Sequence, residues 1–191
     1  MPEPTTSADY DAIVVAGARS ERLGGIDKAM LDVGGESLLA RAVAAVAGAV
    51  TVTVVGPQRS AATPVVWREE SPPGGGPVAA FASGLTVGAA SVVVLIAADL
   101  PFIAGAISSL VSSVGSQDVA VLVDESGREN YLASAWRRDA AMAAVSGDVV
   151  GRSMRSLMPG LDVVQVRDEG GWGMDCDTWP AVDAARARLI D

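Results

Sequence analysis

The sequence predicts a three-layer α/β/α protein whose mostly parallel sheet carries a small antiparallel insertion. Three observations predict it. Valine-rich apolar runs recur along the chain, and alanine-rich segments of helical length lie between them, the alternation expected of a parallel sheet covered by helices on both faces. The third is the pair of runs at 118–123 and 131–136, joined through a turn at Gly127, which reads as two adjacent antiparallel strands.

In chain order, residues 1–9 read as a loose polar tail and residues 10–191 as a single domain. The opening MPEPTTSADYD lacks the basic segment of a secretory signal. Strands are predicted at Ala12–Ala16, Thr51–Val55, Val92–Ala97, Val119–Val123 and Asp162–Val166, with a shorter candidate at Val65–Trp67. Helices are predicted at Leu38–Ala47, Val78–Val87 and Ala104–Val111, where alanine favours the helical backbone. Two more follow at Asp139–Val145 and Pro180–Leu189, the last expected to pack across the sheet. The uncharged run Ser71–Ala98 is long enough to suggest a membrane span. Prolines and glycines fill its first third, however, and Gly84, Gly88 and Ser91 interrupt the rest, so it reads as loop, helix and buried strand.

Composition excludes several functions. Fourteen basic against 23 acidic residues leave a formal charge of −9, which argues against nucleic acid or an anionic membrane as the main partner. Histidine is absent, so Ser-His and Cys-His catalysis and histidine metal sites are excluded, and any metal must sit on oxygen ligands. The single cysteine, Cys176, cannot form an intramolecular disulfide and fits a reducing, cytoplasmic setting.

The segment IVVAGARSERLGGIDKAMLDVGGESLL, residues 13–39, runs from a strand into a loop holding Gly17, Gly24 and Gly25 with Arg19, Arg22 and Lys28. Glycines let backbone N–H groups approach an anion, and the cations supply countercharge, so the loop suggests a polyphosphate cradle. A flexible turn with solvated arginines explains the bare composition equally well. The loop is not a Walker A sequence, because Ala29 follows Lys28 where a metal-binding hydroxyl is needed. Nor is it a GxGxxG turn, since Arg19 occupies the second glycine position. Further on, Gly74, Gly76 and Ala79 with Asp99 imitate a dinucleotide fingerprint, but REESPP separates them from the preceding strand. Asp99 itself ends a buried strand, where an open parallel sheet binds its ligands, although capping of the next helix is an equal reading. Asp175 and Asp177, two apart in GMDCDTWP, would face one side of an extended segment and turn Cys176 away. Here too, capping by Asp177 or Thr178 ahead of Pro180 is an alternative.

AGARSERLGGIDKAML resembles the N-terminal signature of the MobA-like nucleotidyltransferases, LAGGxSxRMGxDKxLL, and the match runs on through GGESLL. ESPPGGGPVA is similar to that family's PGxGPLAG segment, AADLPF to its CDxP site, and DCDTWP to its NVNTPE or DIDTPE element with Trp179 inserted. The resemblance implies a Rossmann-like fold and transfer of GMP from Mg-GTP to molybdopterin with release of pyrophosphate. It implies catalytic roles for Lys28, Arg22 and Asp99, and nucleotide binding by Ala16, Gly17, Ala18, Arg19, Ser20, Gly24, Lys28, Gly74, Gly76 and Pro77. Magnesium would be held by Asp99, with Asp175 or Asp177 as a second ligand, and Arg128 and Asn130 would face the acceptor. Transient contact with cofactor-assembly proteins or molybdoenzymes is implied by the family alone. Ala18 departs from the signature, adding a methyl group where the second glycine belongs. Open alternatives are another acceptor, CTP as donor, sugar-1-phosphate nucleotidyl transfer, and a nucleotide-binding module without catalysis.

Overall fold

A computed structural model describes residues 9–17, 19–20, 23–61 and 63–190. The N-terminal tail through residue 8, and with it Ala18 and Arg22, lies outside the described residues; for Arg19 and Ser20 only the backbone is described.

In chain order the elements are β1 (Tyr10–Val15), β2 (Arg19–Ser20), β3 (Ile26–Asp27), β4 (Asp32–Val33), β5 (Glu36–Ser37), α1 (Leu38–Ala45), β6 (Val52–Val55), β7 (Val66–Arg68), α2 (Pro77–Leu85), β8 (Val92–Ala97), α3 (Ala104–Val114), β9 (Val119–Val123), β10 (Glu129–Arg137), α4 (Arg138–Ala144), β11 (Val163–Arg167) and α5 (Trp179–Arg188). Seven strands form the main sheet in the order β11-β9-β10-β8-β1-β6-β7. Strand β1 pairs in parallel with β6 and β8, and β9 with β11, whereas β10 runs antiparallel to both of its neighbours. The predicted antiparallel strand therefore lies inside the sheet rather than beside it. Two small hairpin ladders, β2-β3 and β4-β5, sit apart from it.

Alternation along the strands divides the core. Ala12, Val14, Val94 and Ile96 face α1 and α3 through Leu39, Val43, Ile107 and Leu110, while Ile13, Val93 and Leu95 face α2 and α4 through Val78, Phe81 and Ala141. Residues two apart on a strand share a face, so continuous apolar runs are what a sheet buried on both sides requires. Gly84 is where α2 comes closest to β1: a Cβ there would lie 2.6 Å from Ile13 Cγ2. Burial of Trp136 against Phe81, ring centroids 5.2 Å apart, fills the same layer.

The C-terminal helix differs from the expectation that it crosses the sheet. Val182 and Ala185 of α5 pack on Val33, Leu38 and Cys176, a third cluster built around the β4-β5 hairpin. Its helical face is short of large apolar residues, and the small hairpin offers a matching small surface. No helix among the described residues is long and apolar enough to cross a membrane.

Candidate active site

The carboxyl ends of β1 and β8 meet at the middle of the sheet, and the chain leaves each strand into a loop there. Ala98 N–H donates to Val15 O at 2.9 Å, and Ala16 N–H donates to Val55 O at 2.8 Å, which fixes the start of both loops. Asp99 stands just beyond β8. It does not cap α3, whose N-cap is Ile103 with no side-chain cap bond.

Lys28 lies in a 3-10 turn, Lys28–Met30, and its side chain is only 5% exposed. Its ammonium donates to both Asp99 Oδ2 and Asp177 Oδ1. Burial lowers the pKa of Lys28, but Asp99 and Asp177 outweigh it and hold the ammonium above its ordinary value. A flexible, solvated loop lysine is therefore the wrong picture of this residue. What brings the carboxylates together is a backbone bond: Cys176 N–H donates to Asp99 O at 3.1 Å, laying the C-terminal segment alongside the β8 loop. Thr178, not Asp177, caps α5 by accepting from Ala181 N–H at 3.4 Å, which leaves Asp177 to Lys28.

Asp175 projects to the same region without pairing to Lys28. Burial raises its pKa, and the charges of Asp177 and Asp99 add to the effect. Cys176 between them is fully buried, and its thiol is pushed up to about 11, first by burial and then by Asp99, so it stays protonated and inert. Asp99 and Asp177 aim hard oxygen donors at one cationic point, a set suited to magnesium, which takes one or two protein carboxylates and completes its shell with phosphates and water. No group of three or more protein ligands occurs among the described residues.

Two cavities flank this site, Lys28 and Asp99 lining one and Asp175 the other. A small one of about 90 Å³ is bounded by Ala16, Lys28, Ala29, Ala97 and Asp99. A larger one of about 520 Å³ opens on Asp175, Arg128, Asn130 and Arg155. Leu132 borders both. The larger cavity exists because β10 bulges: Asn130 pairs with Leu122, yet Ser134 pairs with Val121, so Tyr131–Ala133 stand out of the β9 ladder. Apart from Asp175, its acidic walls are occupied internally. Asp168 accepts from Trp172 N–H at 2.7 Å and Gly173 N–H at 2.8 Å, Asp124 accepts from Ser126 and Arg128 N–H, and Glu129 from Tyr131 and Gln165. Neither guanidinium, Arg128 or Arg155, has a protein partner among the described residues. Arg128 and Asn130, just past the Gly127 turn, thus line a cavity wall, and Arg155 joins them from the 3-10 turn Met154–Leu157. Sequence spacing gave no signal for Arg155.

The glycine loop 73–77 is ordered by a residue the sequence reading passed over. Glu70 accepts from Gly74 N–H through Oε1 and from Gly76 N–H through Oε2, both at 3.0 Å. Gly76, at φ +90°, is the N-cap of α2, and Pro77 opens the helix. A Cβ on Gly17 would lie 3.8 Å from Glu70 Oε1, so the first glycine stretch passes beside the same carboxylate. Gly24, at φ +79°, turns the first loop, and Arg59 holds Asp27 bidentately at 2.7 and 2.8 Å beside Lys28.

The site is thus a crevice at the carboxyl ends of parallel strands with a buried lysine between two carboxylates, and comparison with known families identifies its class as nucleotidyltransferase. The model of the MobA-like NTP transferase domain matches residues 12–164, and the chain belongs to that family. No curated protein matches the sequence as a relative. Similar solved structures include a nucleotidyl transferase from Methanothermobacter, with TM-score 0.79, 16% identity and coverage of 95% of this chain and 98% of that one. The molybdopterin-guanine dinucleotide biosynthesis protein A of Archaeoglobus fulgidus gives TM-score 0.74 at 14% identity, covering 94% and 98%. The 2-C-methyl-D-erythritol 4-phosphate cytidylyltransferase of Thermus thermophilus gives 0.72 at 18%, covering 94% and 98%. At these identities the likeness is one of fold.

Proposed function

We propose that the protein transfers GMP from Mg-GTP to molybdopterin and releases pyrophosphate. The observation that carries the reading is Lys28 held between Asp99 and Asp177 at the small cavity, with Asp175 of the same C-terminal segment lining the large one. The nucleotide would lie along Ala16, Gly17 and the glycine loop ordered by Glu70, with Lys28, Arg22 and the β1–β3 loop on its phosphates. Its α-phosphorus would then face the larger cavity, where the acceptor enters. The two unpaired guanidiniums of Arg128 and Arg155 suit an acceptor that carries a phosphate.

An oxygen of the acceptor phosphate forms the new bond to the α-phosphorus, the bond from that phosphorus to the α–β bridging oxygen breaks, and pyrophosphate leaves with the electron pair. The nucleophile is already anionic, so no residue need take a proton, in keeping with a chain without histidine. Asp99 and Asp177 would hold magnesium, which when bound neutralises charge on the reacting phosphates. Lys28 adds positive charge beside the reacting phosphates, and the glycine loops align the donor. Transient handover to cofactor-assembly proteins or molybdoenzymes belongs to the same proposal.

Pyrophosphate release is the test, measured with GTP, CTP and ATP in magnesium, before and after adding molybdopterin. Release with GTP that depends on molybdopterin is expected. Preference for CTP would make the protein a cytidylyltransferase, and binding without release from any nucleotide would make it a non-catalytic module.

A further inference from the structure

Of the 14 basic residues in the chain, one is a lysine, and it is Lys28. Every other basic side chain is an arginine, so the site between Asp99 and Asp177 alone uses an ammonium. The two differ physically: a guanidinium is a broad planar fork, whereas an ammonium is a compact point charge that fits where a small cation would sit. Lys28 contacts one oxygen of each carboxylate, from segments 78 positions apart (177 − 99), and is nearly inaccessible to water. Asp175 stands close enough for its carboxyl to feel both neighbours. Without a cation at this point, the carboxylates of Asp99 and Asp177 would face each other uncompensated.

We propose that Lys28 is a resident surrogate for the divalent cation: its ammonium holds the metal position until the triphosphate of an arriving nucleotide draws it away. The inference rests on the proposed nucleotidyl-transfer reading for the identity of the site. Ammonium and metal ion cannot share the same pair of oxygens, since each repels the other at contact distance. Metal alone must therefore strip Lys28 of both its carboxylate contacts, with only the burial-disfavoured carboxyl of Asp175 near it. Nucleotide phosphates supply stronger partners, so metal and nucleotide enter together, each raising the affinity for the other.

A chain with one lysine allows the displacement to be watched in the unmodified protein. With ¹³C,¹⁵N-lysine labelling, the NMR spectrum carries one lysine side-chain signal. Magnesium at about 1–5 mM should leave it in place, whereas magnesium with a non-hydrolysable GTP analogue should shift it. In Lys28→Met, manganese alone, followed by electron paramagnetic resonance, should bind about tenfold or more tighter than in the wild type. Manganese binding that is no tighter in Lys28→Met, or a lysine signal that magnesium alone displaces, overturns the proposal. If Lys28→Met does not fold, the wild-type spectrum decides. Metal-alone binding separates this idea from the reaction: pyrophosphate release without exclusion overturns the surrogate only, and exclusion without release from any nucleotide overturns the transfer reading only.

Discussion

Replacing Glu70 by alanine removes the carboxylate that ties down the second glycine stretch. Its two bonds, to Gly74 N–H and Gly76 N–H at 3.0 Å each, are charge-assisted, and such bonds contribute about 1.5–3 kcal/mol each when well shielded. The Gly74 bond is exposed and the Gly76 bond only partly buried, so the lower end applies and water recovers part of it. A net loss of about 1.5–2.5 kcal/mol of loop order is expected. Little of this should reach the global stability, because the loop lies on the rim of the core. The binding nucleotide must instead order the loop itself, which raises its KM by about 10–50-fold while kcat stays within about threefold. Steady-state kinetics at saturating acceptor, with hydrogen exchange at Gly74 and Gly76, measures both halves. An unchanged KM with normal exchange at those amides would refute the clamp, and a collapse of kcat at constant KM would place Glu70 at the reacting atoms.

Three further outcomes follow from the same geometry. Lys28→Ala should abolish turnover and also destabilise the metal-free protein by about 1–3 kcal/mol, less than a fully buried pair because Asp177 is 48% exposed; melting with and without magnesium checks this. Because the Lys28 pKa is raised above 10.5 in the folded protein, its contribution is fully present below that pH and disappears as pH climbs through the raised value, so wild type and variant should converge in strong alkali. Asp175→Asn should raise the melting temperature in metal-free buffer at neutral pH: a raised carboxyl pKa favours folding below its ordinary 3.8 and loses that advantage as pH rises through the shifted value. A melting temperature that stays level or falls at neutral pH would refute the crowding of carboxylates. Gly84→Ala should cost about 1–3 kcal/mol in urea unfolding, since the new methyl would meet Ile13 Cγ2 at 2.6 Å.

Elements whose own residues decide their environment were legible in the sequence. Val92–Ala97 and Val119–Val123 occupy the predicted bounds, since a valine run buried on both faces has one stable outcome. Asp99 was legible for the same reason, as the first acid after a buried strand. Features fixed by distant backbone were not. Which of Asp175 and Asp177 reaches Lys28 depends on how the C-terminal segment lies against the β8 loop, through the Cys176 N–H bond to Asp99 O, which joins segments with no shared pattern. Glu70 looks like one of two adjacent solvated acids until the glycine loop folds back on it. Lys28 reads as a loop cation because nothing nearby in sequence shows that Asp177 will cover it. Docking of α5 on a two-stranded hairpin escaped for a related reason, as β4 and β5 are only two residues each.

The reversed direction of β10 separates two kinds of change. Its first residues, not its last, arrive at the edge where β1 and β8 finish, for Ala133 pairs with Ile96 while Arg137 pairs with Val92 at the far end. A turn and a bulge, both cheap to lengthen or reshape, therefore border the larger cavity, whereas the loops beside Lys28 grow out of rigid parallel strands. On the proposed placement of donor and acceptor, descendants of such a chain can acquire a new recipient for the nucleotide by altering residues 124–133 and leave the donor's machinery intact.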